Sequence, residues 1–200
     1  MNLAHVDELD TIELPDGFVW RPVRRRFGIR GFGVNAYTAG ASGQIVEEHT
    51  EEQLGHEEIY LVLRGRVRFT LDGNEHELGA GQLVFIRDPS LRRGGVALTE
   101  DAAVLALGGA PGKPHEVSAW EAMFAAVPLE QAGRWDEAIG LYEEALAERP
   151  DHPPLLYHLA RVEARAGRAD DARGHLQRAV EQDPVWAERA ERQPDFDPIR

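Results

Sequence analysis

The stretch EEIYLVLRGRVRFTLDG (Glu57–Gly73) decides the architecture of the first half of this 200-residue chain. IYLVLR has the length and composition of a strand, Arg64-Gly65 turns the chain tightly, and a second strand follows. In that second strand Val67, Phe69 and Leu71 alternate with Arg66, Arg68 and Thr70. A period of two puts one set of side chains on a core and the other in water. Asp72-Gly73 then supplies the pair that tight hairpin turns favour, because such turns need positive φ. Working outward, GAGQLVFIRDP (Gly79–Pro89) is a strand closed by Asp88-Pro89, and AAVLAL (Ala102–Leu107) is another. Upstream, FVWRPV, IRGFGVNAYTAG and GQIVEEH add at least three more. Many short strands with glycine turns and no helical stretch predict an all-β sandwich or closed barrel.

The grammar changes near residue 116, where Ala, Leu, Glu and Arg take over at helical spacing. GGAPGKPHEVSAWE (Gly108–Glu121), with two prolines and three glycines, is the joint. The expected division is residues 1–115 and 116–200. An internal repeat dominates the second part: GRWDEAIGLYEEALAERPD (Gly133–Asp151) aligns with GRADDARGHLQRAVEQDPV (Gly167–Val185) at an offset of 34 residues. Gly133 matches Gly167, Ala138 matches Ala172, Ala145 matches Ala179 and Pro150 matches Pro184. Small alanines let two helices approach closely, glycine turns the chain between them, and proline ends the second helix. This pattern resembles the tetratricopeptide repeat. The resemblance covers one full repeat (about Pro153–Pro184), the second helix of a preceding one, and a degenerate helix around Trp120–Ala132. Trp186, Phe196 and Ile199 are placed to close the stack, and His158 and His175 read as packed or solvated residues of helix faces. The fold class is therefore α+β in two domains, an all-β barrel followed by a small stack of helical hairpins.

Composition narrows the function. The chain has no cysteine, which excludes disulfides, thiolate zinc sites and cysteine nucleophiles and suits a reducing cytoplasm. No apolar run approaches the roughly 18 residues of a membrane span, and the acidic start lacks the order of a secretory signal. A net charge of −13 argues against nucleic acid and anionic membrane as partners. Arg21, Arg24, Arg25, Arg26 and Arg30 cluster in or before the early strands, where they are expected to pair with Glu47, Glu48, Glu51 or Glu52, within the chain or across a dimer. None of the three serines lies in a nucleophile elbow, and GIRGFG lacks the spacing of a phosphate-cradling loop.

The order of features from about Val34 to Gly109 resembles a cupin, a family of small β-barrels (double-stranded β-helices). Glu58-IYLVLR-Gly65 has the spacing of the family's first motif, and GAGQLVFIRDPSLRRG (Gly79–Gly94) resembles the second. Metal-binding relatives carry a histidine–any–histidine pair before that glutamate and a further histidine after the second motif's proline. Here His49 is followed by Glu51 where the second histidine would stand, and Arg92 and Arg93 replace the last one. Arginine has no lone pair to give a metal. A partial set remains: His49, His56 and Glu58, converging if the TEEQLG loop folds back, would suit Fe(II), Mn(II) or Zn(II). The other chemistry is electrostatic. Arg92 and Arg93, with Glu58 and Tyr60, form a candidate ligand-binding set for a small or anionic molecule, or an arginine neutralises Glu58 inside the barrel.

Three functions follow as expectations. The first is a non-enzymatic module pair, in which the barrel binds a small ligand, the repeats dock a protein partner, and the β domain forms a homodimer. The second is a metal-dependent enzyme (oxygenase, isomerase or lyase) using His49, His56 and Glu58. An adaptor whose repeats do all the binding is a third.

Overall fold

The computed structural model describes residues 3–14, 17–113 and 115–200, so Pro114 of the expected joint lies outside the described residues. The chain separates into two compact units, Met1–Val117 and Ser118–Arg200.

The first unit is built from antiparallel strands: β1 Ile12–Glu13, β2 Val19–Arg21, β3 Gly33–Thr38, β4 Gln44–His49, β5 Glu57–Arg64, β6 Arg66–Leu71, β7 Asn74–Gly79, β8 Leu83–Ile86, β9 Arg93–Ala97 and β10 Ala103–Gly109. They form a six-stranded sheet, ordered β1-β2-β3-β10-β5-β8, and a four-stranded sheet, ordered β4-β9-β6-β7. The inward residues Ile45, Tyr60, Val62, Val67, Phe69 and Val104 are almost wholly buried in one apolar core, with the Tyr60 and Phe69 rings 5.4 Å apart.

The Arg66–Gly79 hairpin follows the alternation in its sequence. Val67 and Phe69 are buried, while Arg66 and Arg68 pair outside with Glu77 and Glu75. Asp72 (φ 46°) and Gly73 (φ 81°) make the turn, with Leu71 paired to Asn74. Gly65 answers two demands at once. It has φ +68°, and a Cβ there would lie 2.4 Å from Thr99 Oγ1 and 2.7 Å from Ala102 Cα.

Two short segments depart from the expectation of an unbroken β unit, the first a 3₁₀ turn at Val6–Glu8. Val23–Phe27 forms a short helix, α1, closed by Gly28 in the left-handed region. The amides of Gly28 and Ile29 bond back to Arg25 and Arg24 carbonyls, the motif in which glycine stops a helix without steric cost. The arginine cluster is correspondingly rearranged. Arg24 is buried and donates to the Ile29 carbonyl. Arg21 donates to the carbonyls of Val6 and Leu9 and lies near Asp7, rather than pairing within the chain with Glu47, Glu48, Glu51 or Glu52.

The second unit contains α2 Ala119–Gln131, α3 Trp135–Glu148, α4 Pro153–Arg165, α5 Ala169–Gln182 and α6 Val185–Arg192, then a 3₁₀ turn at Pro194–Ile199. The α2–α3 and α4–α5 hairpins have identical lengths and turn geometry. Gly133 and Gly167 have φ +69° and +79°, and the amides of Arg134 and Arg168 close the same bond onto Leu129 and Glu163. The segment expected to be degenerate is thus a full helix at the repeat's position, despite Pro128 in its interior. Ala126, Ala138, Ala160, Ala172 and Ala179 are wholly buried, because close helix packing needs small side chains. Trp186, Phe196 and Ile199 join this core, with Tyr157 4.8 Å from the Trp186 ring and 5.3 Å from Phe196. Among the described residues no helix is long and apolar enough to cross a membrane.

Candidate functional site

Polar side chains converge where β4 ends and where β5 and β9 begin. His49 closes β4 and is the register partner of Arg93, the first residue of β9. The intervening loop folds back: the amides of Leu54 and Gly55 bond to the Glu51 carbonyl, and the Glu51 amide bonds to the Pro89 carbonyl at 2.8 Å. Pro89 also accepts from Arg93 Nη1 at 3.2 Å. One carbonyl therefore ties both the loop and the arginine to the β8–β9 connection.

His49 Nδ1 lies 2.7 Å from the Glu47 carbonyl oxygen. A carbonyl only accepts, so Nδ1 carries the proton and Nε2 points to the acids. Nε2 is 3.6 Å from Glu51 Oε1 and 3.7 Å from Glu58 Oε2. Glu58 Oε2 also receives the Tyr60 hydroxyl at 2.8 Å and faces Arg93 Nε at 3.3 Å. Arg93 is wholly buried, an unusual state for a guanidinium that Glu58 compensates.

Electrostatics follow from this crowding. Burial opposes the His49 imidazolium, but Glu58, the Glu47 carbonyl and the Glu51 charge outweigh it, so the His49 pKa is raised. Burial likewise opposes the Glu58 carboxylate, yet His49, Tyr60 and Arg93 hold its pKa below the ordinary value. Burial, then the neighbouring Glu58 charge, pushes the Tyr60 phenol well up, so it remains a donor.

The expected metal set and the observed cluster differ in one member. His49, Glu51 and Glu58 bring three donor atoms within 4.8 Å of one another. His56 is buried beside them, and its Nδ1 lies 3.2 Å from Glu51 Oε2. The signal for Glu51 was its place two residues after His49. His115, absent from the sequence-based set, has its ring centre 5.9 Å from that of His56, with the planes tilted by 32°. A Cβ on Gly33 would lie 3.1 Å from His115, and one on its strand partner Gly108 would lie 3.1 Å from Glu58 Cγ. The facing glycines leave room for both side chains, a relation that sequence spacing does not reveal.

The two arginines separate. Arg93 enters the cluster, whereas Arg92 stays at the surface and pairs with Glu48 at 2.9 Å. They cannot fork onto one anion, and Arg93 has no exposed surface to offer one.

As to a metal, the donor chemistry fits an ion held by three ligands, one imidazole and two carboxylates. It does not fit a four-ligand centre, because the further group beside Glu58 is Arg93, and a guanidinium has no lone pair to give a metal.

The family models agree with this architecture. A family model described as a cupin domain matches residues 39–107, and one for the tetratricopeptide repeat matches residues 129–191. Among solved structures, the chain is similar to a cupin protein from Bacteroides fragilis (23% identity, 52% of this chain and 86% of that one, TM-score 0.39). It is also similar to KdgF from a Halomonas species (21% identity, 54% and 92%, TM-score 0.41). A third is a sugar phosphate isomerase of the cupin superfamily from Silicibacter pomeroyi (19% identity, 54% and 75%, TM-score 0.41). No curated protein matches the chain. The two family models, each falling within one compact unit, identify a cupin-fold protein that continues into tetratricopeptide-like repeats.

Proposed function

We propose that the barrel unit is a small-ligand-binding module without catalysis, coupled to helical repeats that dock a protein partner. The observation that carries this reading is the buried Arg93 beside Glu58, which puts a fixed cation where the metal-binding relatives use a histidine. With that charge resident, the Arg93–Glu58–Tyr60 group is a rigid floor. The more accessible His49 and the acceptor oxygens of Glu51 face a ligand. The Glu51 carboxylate beside His49 favours a small polar molecule that donates hydrogen bonds, such as a neutral polyol, over an anion. The repeats stack two hairpins, an arrangement that generally presents an interaction surface. The barrel unit also brings two copies of the chain together, and the lack of cysteine suits a reducing cytoplasm.

A second reading is favoured by the three clustered donors. His49, Glu51 and Glu58 would hold a divalent ion (iron, manganese or zinc), which would supply Lewis acidity for an oxygenase, isomerase or lyase. In that state Tyr60 orients Glu58, and the Glu47 carbonyl fixes the His49 tautomer.

Thermal shift of the full chain against neutral polyols, inorganic phosphate and divalent ions separates the readings. Stabilisation by a polyol that Glu51→Gln abolishes and Arg92→Ala leaves intact supports the first. Stabilisation only by a divalent ion, lost in both His49→Ala and Glu58→Gln, supports the second.

A further inference from the structure

The chain leaves β10 and turns back towards the barrel site before the helices begin. Past Gly109 the Lys113 amide bonds to the Ala110 carbonyl at 3.2 Å, and Gly112 takes φ +70°. Glycine makes that left-handed turn without steric cost. The reversal brings His115 to the start of β3, where its Cε1 would lie 3.1 Å from a Cβ on Gly33. Any side chain at Gly33 would crowd this imidazole. From His115 a line of contacts runs into the site. Its ring centre is 5.9 Å from that of His56, and His56 Nδ1 is 3.2 Å from Glu51 Oε2. Glu51 Oε1 is in turn 3.6 Å from His49 Nε2. The His56 and Glu51 side chains are only 9% and 11% exposed, so neither moves freely. Both ring nitrogens of His115 are out of solvent. It therefore acts on the site through His56, without touching a ligand itself.

Only two residues separate His115 from Ser118, where the helical unit begins. The residue that packs on His56 thus also fastens the last stretch of chain before the repeats. Glu58 and Arg93 offer no such route, because they are tied to Tyr60 and to Pro89 within the barrel unit. Holding His56 against Glu51 orients a carboxylate for a ligand. A ligand that orients the same carboxylate holds His56, and with it His115. Thermodynamic linkage makes these two effects equal in size. We propose that His115 is a positioning residue of the barrel site, through which a small hydrogen-bond-donating ligand held by Glu51 also fastens the joint that leads to the repeats. This rests on the ligand-site reading above and names the segment that the site regulates.

Two readouts on the full chain test it from opposite ends. A glutamate-specific protease cutting after the exposed Glu116 reads the joint, and hydrogen exchange of the Glu51, Leu54 and Gly55 amides reads the loop. His115→Ala is expected to speed exchange of those three amides about fivefold or more, the low end of couplings between sites. The Val67 and Phe69 amides of β6 are expected to stay unchanged. Conversely, Glu51→Gln and His56→Ala are each expected to speed cleavage after Glu116 by a similar factor. Gly33→Ala displaces the imidazole without removing it and is expected to act like His115→Ala. His115→Phe keeps a ring over Gly33 and is expected to retain most of the protection. Sorbitol, as a neutral-polyol probe, is expected to slow cleavage of the native chain and not of His115→Ala. If His115→Ala speeds cleavage but leaves the loop amides unchanged, His115 only clasps the joint and the proposal is overturned. Unchanged cleavage in both Glu51→Gln and His56→Ala, or sorbitol that binds without slowing cleavage, overturns it too. A chain that binds neither sorbitol nor divalent ions overturns the ligand reading, while the variant rates, measured without any probe, decide the linkage on their own.

Discussion

Replacing Arg93 by methionine isolates the charge at the centre of the barrel site. Arg93 Nε and Glu58 Oε2 are 3.3 Å apart, which corresponds to a gross attraction of about 5 kcal/mol at an effective dielectric of about 20. Desolvation of the wholly buried guanidinium offsets much of that. The measurable quantity is therefore the cost of leaving Glu58 without its cation, typically about 3–5 kcal/mol. Glu58 keeps the Tyr60 hydroxyl and the nearby His49, so the lower end, about 3 kcal/mol, is expected. Arg93→Met/Glu58→Gln removes both charges and is expected to recover most of the loss. The loss in Arg93→Met should also shrink as pH falls and Glu58 protonates. Native-state hydrogen exchange of the β5 and β9 amides reads barrel stability separately from the helices. The reasoning is refuted if Arg93→Met changes that stability by less than about 0.5 kcal/mol, the scale of ordinary surface substitutions, or if the double variant is no better than the single one.

Further outcomes follow from the same geometry. The Glu58 pKa is below its ordinary value of 4.5 and the His49 pKa is above 6.5. The Glu58 contribution to stability is thus lost as pH falls through its lowered pKa, and the His49 contribution is lost as pH rises through its raised one. Barrel stability is expected to peak between them, and His49→Gln should remove the alkaline decline in a pH-resolved exchange experiment. In the helical unit, burial, then the Arg161 and Arg189 charges, lower the His158 pKa to about 4 from 6.5. A histidine held neutral in the fold loses stability as pH drops from 6.5 towards 4, by up to about 3 kcal/mol. His158→Phe should blunt that acid sensitivity in circular dichroism melts, and an unchanged acid limb would contradict it. Two glycines separate backbone strain from collision. Gly167→Ala meets open space at φ +79° and should cost about 1–2 kcal/mol. Gly65→Ala, 2.7 Å from the Ala102 backbone, should cost clearly more or prevent folding of the barrel.

The strands and repeats were legible because their signals are local. Val67 and Phe69 alternate with arginines that must reach water, Asp72-Gly73 names its own turn, and the 34-residue offset survives as matching helix bounds. Helix α1 was hidden because VRRRF is too short to show periodicity, and the capping by Gly28 appears only once its backbone angle is known. The site was legible as a segment more than as a set of side chains. His49 and Glu58 are fixed by motif spacing, but which of Arg92 and Arg93 enters the barrel depends on the pairing of His49 with Arg93. His115 reaches the cluster over Gly33, across strands that are far apart in the chain.

The central claim is that Arg93 serves the barrel as its resident cation in place of a metal. Elemental analysis of the chain purified without a histidine tag tests it most directly, alongside Arg93→His, which restores an imidazole at that position. The account predicts that the native chain carries far less than one equivalent of iron, manganese or zinc, and that Arg93→His gains divalent affinity. One equivalent of metal in the native chain, released by Glu51→Gln or His49→Ala, would contradict it.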